Sequence, residues 1–167
     1  MAATMITQIL NKASRGSEIT PAEGYLLLTA SYPPDWLRQA ADELRRNLVG
    51  EAVSYVVNRN INFTNICEQH CGFCAFRRDE NQPDSYGLTP EQIVLKVEDA
   101  VQRGATEICL QGGLNPAAKR HGRTLDYYVH LAETIKTTAP GLHLHAFSPQ
   151  EIQFISRQEG ISINDVL

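Results

Sequence analysis

From residue 88 onward the sequence repeats one unit: a capped amphipathic stretch, a loop, and a short apolar run. Thr89-Pro90-Glu91-Gln92 combines an N-cap, a proline at the first helical position and a capping-box Gln, and predicts a helix to about Arg103 that Gly104 ends. Residues 106–111 (TEICLQ) predict a strand closed by Gly112-Gly113, and residues 125–138 a second helix ended by Pro140-Gly141. Residues 142–147 (LHLHAF) predict another strand, after which Ser148-Pro149-Gln150-Glu151 caps a third helix to about Gln158. Strict alternation of this kind implies right-handed βαβ units on a parallel sheet. With a strand at 61–63 as the first, the sequence contains three such units.

The region before the repeat has a different period. Met5, Ile6, Ile9, Leu10 and Ala13 recur at helical spacing, Thr20-Pro21-Ala22-Glu23 caps a second helix, and Pro33-Pro34 opens a third that Gly50 stops. Residues 52–57 (AVSYVV) are β-branched and aromatic and predict a strand, with Asn58-Arg59-Asn60 as a turn before 61–63. Residues 64–87 read as one long loop, a length uncommon in a compact domain unless the loop has a task. The expected organisation is a helical region at 1–50 and an α/β region at 51–167 with the cysteine loop at 64–87.

Length sets a further expectation. A closed (β/α)₈ barrel needs roughly 250 residues, and the chain has 167. Ser162-Ile163-Asn164-Asp165 starts a fresh helix just before Leu167. The chain therefore reads as the N-terminal part of a longer protein. The strand at 142–147 should present a free edge, and Ile161, Ile163, Val166 and Leu167 should be poorly covered. A net charge of −4 argues against nucleic acid or an anionic membrane as partner. The sequence has neither a run long enough to cross a bilayer nor the basic and apolar start of a secretory signal. The expected location is the cytoplasm, where thiols stay reduced.

Three of the four cysteines fall within eight residues, as Cys67-x₃-Cys71-x₂-Cys74. Soft thiolates at a common point select zinc, Cu(I) or an iron–sulfur cluster. A structural zinc site closes its tetrahedron with a fourth protein ligand, for which His70, His121 and Cys109 are the candidates. Cys109 lies mid-strand and is expected to be a small buried apolar group. Three ligands without an obvious fourth suit a [4Fe–4S] cluster with one iron open.

The segment from Asn62 through Cys67, Cys71 and Cys74 to Phe76 resembles the signature loop of the radical S-adenosylmethionine (SAM) superfamily, CxxxCxxC with an aromatic before the last cysteine. Its flanks, with Asn58-Arg59-Asn60, Gln111-Gly112-Gly113-Leu114-Asn115-Pro116 and His143 to Pro149, resemble the subgroup that makes the deazaflavin chromophore of coenzyme F420 and futalosine-derived menaquinone precursors. Among these the tyrosine-using subunits of the F420-chromophore (FO) synthase are most similar. The resemblance covers the whole chain but only the first half or less of such an enzyme.

The resemblance implies an N-terminal helical preface followed by the first three βα units of a partial TIM barrel. It implies Cys67, Cys71 and Cys74 as ligands of a [4Fe–4S] cluster whose open iron takes the amino and carboxylate groups of SAM. Phe73 would lie beside the adenine, and Gly112 and Gly113 near the SAM amino group. Family members often have an acidic residue directly after the two glycines; Leu114 stands there in this chain, so Gln111 or Asn115 would take over that contact. The implied reaction uses a 5′-deoxyadenosyl radical to break the Cα–Cβ bond of L-tyrosine and transfers a 4-hydroxybenzyl group to 5-amino-6-(D-ribitylamino)uracil. The implied partners are those two substrates, an electron donor and the second FO synthase subunit.

His143 and His145 are expected to point to opposite sides of their strand, with His145 facing the active site as the catalytic candidate. Gly-Gly after a strand also fits a plain tight turn, and it lacks the GxGxxG spacing of a dinucleotide site. Arg77-Arg78-Asp79-Glu80 reads as a solvated charge run, and Tyr127-Tyr128 as helix packing. The alternatives are a futalosine-pathway radical SAM enzyme, a zinc-binding module and an inactive fragment.

Overall fold

The computed structural model describes residues 2–167. The chain divides into two compact units, one running to Ser54 and the other spanning Tyr55–Leu167. The first contains α1 (Ala2–Ser14), α2 (Pro21–Thr29) and α3 (Pro34–Val49). Its small core is Ile6, Ile9 and Leu10 of α1 with Leu27 of α2. Glu23 serves twice here, closing the capping box with Thr20 and pairing with Lys12 at 2.8 Å.

The second unit is a three-stranded parallel sheet in the order β1 (Asn58–Asn62), β2 (Glu107–Gln111), β3 (His143–Ala146). The crossovers run through α4 (Pro90–Gln102) and α5 (Thr124–Thr138), and α6 (Pro149–Glu159) and the short α7 (Ile163–Val166) follow β3. Pairing is in register as Asn60↔Cys109↔His145 and Ile61↔Leu110↔Ala146.

Period-2 alternation gives the sheet two unlike faces. Ile61, Ile108 and Leu110 are buried on one, with Ile93 and Val97 of α4, Tyr128 and Ile135 of α5 and Phe154 of α6. Asn58, Asn60, Cys109, Gln111, His143 and His145 lie on the other, which is exposed or half-exposed. Among the described residues β3 pairs with β2 alone, and its outer edge carries no further strand, as expected. Ile163 and Leu167 are exposed, whereas Val166 packs against the main core.

The structure corrects two strand assignments. Residues 52–57 are exposed and form no strand; only the carbonyl of Val57 joins the ladder, accepting from Thr106 N at 2.7 Å. The Asn-Arg-Asn segment read as a turn is instead the first half of β1. Pairing with β2 decides this against local propensity. In this register Ile61 enters the core and the three asparagines take the polar face.

α5 holds a second device that the sequence hides. Its N-cap Arg123 makes no side-chain cap, yet Glu159 at the end of α6 accepts from Thr124 N at 2.6 Å and Leu125 N at 3.2 Å. A carboxylate borrowed from another helix satisfies the first turn and complements its dipole.

Candidate metal centre

The cysteine loop leaves the C-terminal end of β1 and is stapled to the sheet before it reaches the thiols. Phe63 N donates to Gln111 O at 3.2 Å, Gly113 N to Thr64 O at 2.8 Å and Glu68 N to Leu114 O at 2.9 Å. The loop's return strand is bound to its exit: Leu88 N donates to Phe63 O, Arg78 N to Asn65 O, and Thr64 Oγ1 to Tyr86 O. These bonds, all backbone–backbone but the one from the Thr64 hydroxyl, position Cys67 although the loop has no regular secondary structure.

The two glycines are required by this packing. A Cβ on Gly113 would run into the Ile66 carbonyl oxygen and stand 2.7 Å from its carbon. On Gly112 it would meet the Phe63 ring at 2.6 Å. Phe63 is fully buried and packs edge-on against Tyr127, Tyr128 and Phe147, so the ring has nowhere to go. Gly-Gly here is a close-approach site between strand end and cysteine loop.

A cavity of about 310 Å³ opens at this end of the sheet, lined by Cys67, Cys71 and Cys74 together with Gln111, Gly112 and Gly113. All four cysteines are free thiols; Cys71 and Cys74 are exposed and Cys67 is half-buried. Among the described residues no three Cys, His, Asp or Glu side chains close on one point as a finished metal site.

The three candidates for a fourth protein ligand are each engaged elsewhere or away from the cavity lining. His70 Nε2 faces Arg77 Nη2 at 2.7 Å and its Nδ1 faces the Glu68 carbonyl at 3.1 Å, so both ring nitrogens are engaged. The Nη2 is a donor only, which makes Nε2 the acceptor and puts the ring proton on Nδ1. His121 lies away from the cavity lining and faces Asp126 at 3.7 Å. Cys109 sits between Asn60 and His145 on the exposed sheet face. This corrects its assignment to the apolar interior, because its register places it opposite Ile108 and Leu110. Three thiols without a fourth side chain fit an iron–sulfur cluster with an open iron better than a closed zinc site.

The other predicted residues are more scattered. Phe73 is 94% exposed and does not line the cavity. Asn115 lies beside a neighbouring depression and accepts from Ala117 N at 2.9 Å through its own side chain. His143 and His145 share one face, because residues two apart on a strand point the same way; the expectation of opposite sides is corrected, and neither lines the cavity.

Arg77 and Arg78 are no solvated run. Arg78 bonds Asp84 at 2.6 Å, and the Arg77 side chain is only 17% exposed, pairs with Asp79 and lines the cavity. The Arg77 Nε–H is enclosed without an acceptor. Sequence reading missed Arg77, and it missed Glu151, whose capping-box signal was visible but whose burial was not. Glu151 is 1% exposed. Burial raises its pKa above the ordinary carboxylate value, partly offset by hydrogen bonds from Ser148 and Gly112.

A parallel βα sheet with a CxxxCxxC loop at its C-terminal end defines a class. Residues 61–160 match the Radical SAM superfamily, and the chain belongs to that superfamily, whose members in general use a [4Fe–4S] cluster and SAM. The more particular likeness is to proteins named 5-amino-6-(D-ribitylamino)uracil–L-tyrosine 4-hydroxyphenyl transferase. The chain is 59% identical over 98% of its length to that of Synechocystis sp. and 58% identical over 97% to that of Cyanothece sp.. It spans 42% and 43% of those relatives' lengths. Among solved structures, the [FeFe]-hydrogenase maturase HydG shares the fold with TM-score 0.69 at 21% identity, covering 95% of this chain and 36% of that one. No helix among the described residues is long and apolar enough to cross a membrane.

Proposed function

We propose that this chain forms the cluster-binding part of a radical SAM transferase that joins the 4-hydroxybenzyl group of L-tyrosine to 5-amino-6-(D-ribitylamino)uracil. The observation that carries the reading is 59% identity along nearly the whole chain to a transferase of that name. The cysteine-lined cavity supports it chemically, because three thiols leave room for a non-protein ligand.

When bound, the cluster and SAM supply a one-electron cleavage that yields a 5′-deoxyadenosyl radical. The chain's own contribution is placement. Cys67, Cys71 and Cys74 hold the iron as thiolates, on a loop fixed by the Gly112-Gly113 contact. Phe73, exposed between Cys71 and Cys74, offers a ring face to the adenine. Gln111 lies on the cavity wall where a ligand amino group would be met in place of the acidic residue that Leu114 replaces, with Asn115 as the more distant candidate. His145 is a substrate-facing candidate on the exposed sheet face. An electron donor and the second synthase subunit complete the reading, with the cytoplasm as its location.

The test is anaerobic reconstitution with iron and sulfide, followed by incubation with SAM, a reductant, L-tyrosine and the diaminouracil. Expected are a brown protein with broad absorbance near ~400 nm and, because the chain spans only 42% of the relative's length, weak or no 5′-deoxyadenosine and coupled product from this chain by itself, both rising in a full-length relative assayed beside it. A colourless zinc-loaded protein would overturn the reading. Coupling with a futalosine-type nucleoside in place of tyrosine would transfer it to the menaquinone branch.

A further inference from the structure

We propose that Asn60, Asn62 and Gln111 form a carboxamide platform that recognises the pyrimidinedione ring of the acceptor substrate by paired amide hydrogen bonds. The inference rests on the reading above for the identity of that substrate. All three residues line the cysteine cavity and lie on the exposed sheet face. Asn62 and Gln111 are register partners on β1 and β2, and Asn60 is two residues earlier on the same face of β1. Directly opposed residues of neighbouring strands are within reach of one ligand.

None of the three carboxamides makes a side-chain hydrogen bond within the described residues. By contrast, Asn65 in the same wall is fully used, donating to Asp84 O and accepting from Tyr86 N, both at 2.8 Å. The platform is therefore not explained by loop stapling. Its charge is also informative: among the described lining residues Arg77 alone is charged and no Asp or Glu is present. A zwitterionic amino acid seeks ion partners, whereas a neutral ring with alternating C=O and N–H groups seeks neutral donors and acceptors side by side. Each carboxamide supplies one of each in a plane. Sites that bind through such groups discriminate strongly against ligands that leave them unpaired.

The test uses the cluster-reconstituted chain and compares wild type with Asn60→Leu, Asn62→Leu and Gln111→Met. Equilibrium binding is measured separately for the diaminouracil, its N3-methyl analogue, L-tyrosine and SAM, with iron content as the check that the loop is intact. Asn62→Leu and Gln111→Met should each weaken diaminouracil binding about fivefold, the factor that the net worth of one neutral hydrogen bond converts to. Tyrosine affinity and iron content should stay within about twofold of wild type in all three variants, and SAM affinity likewise in Asn60→Leu and Asn62→Leu. The N3-methyl analogue should bind wild type weakly and lose little more in the variants, because the pairing edge is already blocked. Asn62→Gln should restore part of the affinity. Unchanged diaminouracil binding in all three variants overturns the platform and leaves the transferase reading standing. So does an equal loss for tyrosine, which marks a general disturbance of the wall. Wild-type protein that holds iron and SAM but binds neither substrate overturns both.

Discussion

The buried carboxylate of Glu151 accepts the backbone N–H of Gly112 at 3.1 Å. Its other oxygen takes Ser148 N and Ser148 Oγ, each at 2.7 Å. One side chain thus closes the capping box of α6 and fastens the end of β2 beneath the cysteine cavity. Burial opposes the charge, so the folded pKa lies above the ordinary value of 4.5. The folded chain then holds this proton more tightly than the unfolded chain does. Stability should fall as pH rises from about 4.5 through the folded value, with the full penalty standing above it. Melting temperatures across pH 4.5–7.5 check this. Glu151→Gln should flatten the slope while costing about 1–3 kcal/mol through an orphaned Gly112 or Ser148 N–H. An unaltered slope in that variant would show that the titration belongs elsewhere.

Glu159 should behave with the opposite sign. Its side chain is 11% exposed. Burial raises its pKa, but bonds from Arg123, Leu125 and Thr124 outweigh that and leave it lowered. A depressed carboxylate contributes stability above its unfolded pKa and loses it as pH falls through the folded value. Glu159→Gln should therefore destabilise at neutral pH and converge on wild type in acid. Amide hydrogen exchange at Thr124 and Leu125 should accelerate selectively. If the loss is the same at every pH, the charge on the cap is irrelevant.

Gly113→Ala should damage the cysteine loop more than Gly112→Ala. The added methyl at Gly113 meets backbone at Ile66, which can move only by breaking Gly113 N to Thr64 O and Glu68 N to Leu114 O. At Gly112 it meets an aromatic ring in a packed cluster. Each should cost about 1–3 kcal/mol by overpacking. Iron uptake after reconstitution, normalised to folded protein, should drop mainly for Gly113→Ala. Equal uptake by both variants argues that the loop finds its geometry without the glycine.

The βα alternation, the caps at Thr89 and Ser148 and the clustering of Cys67, Cys71 and Cys74 were legible because each is a local pattern with a local cause. What stayed hidden depends on partners distant in sequence. β1 begins at Asn58 because β2 pairs with it there, against the β-branched pull of residues 52–57. Arg77 looked solvated because its partner His70 and the cavity wall are set by the loop's fold. The placement of His143 and His145 on one face is different in kind: residues two apart on a strand share a face, so it follows from the strand period alone and needs no distant partner.

The separation of Cys109 from the other thiols makes the final prediction sharp. Cys67, Cys71 and Cys74 line one cavity on one stapled loop, whereas Cys109 is mid-strand, level with Asn60 and His145. An iron–sulfur cluster needs its thiolates on a common point, so one missing ligand leaves a second iron open and the assembly unstable. Replacing Cys67, Cys71 or Cys74 by Ala should abolish cluster assembly, read as iron and sulfide per chain and as absorbance near ~400 nm. Cys109→Ala should leave both near wild type, since its thiol makes no hydrogen bond among the described residues. Circular dichroism separates the two explanations of a low reading: Cys71 and Cys74 are exposed and should be removable without unfolding the sheet. Iron loss from Cys109→Ala equal to that of the loop variants would mean that the cluster draws on the sheet, and the three-ligand assignment would fall.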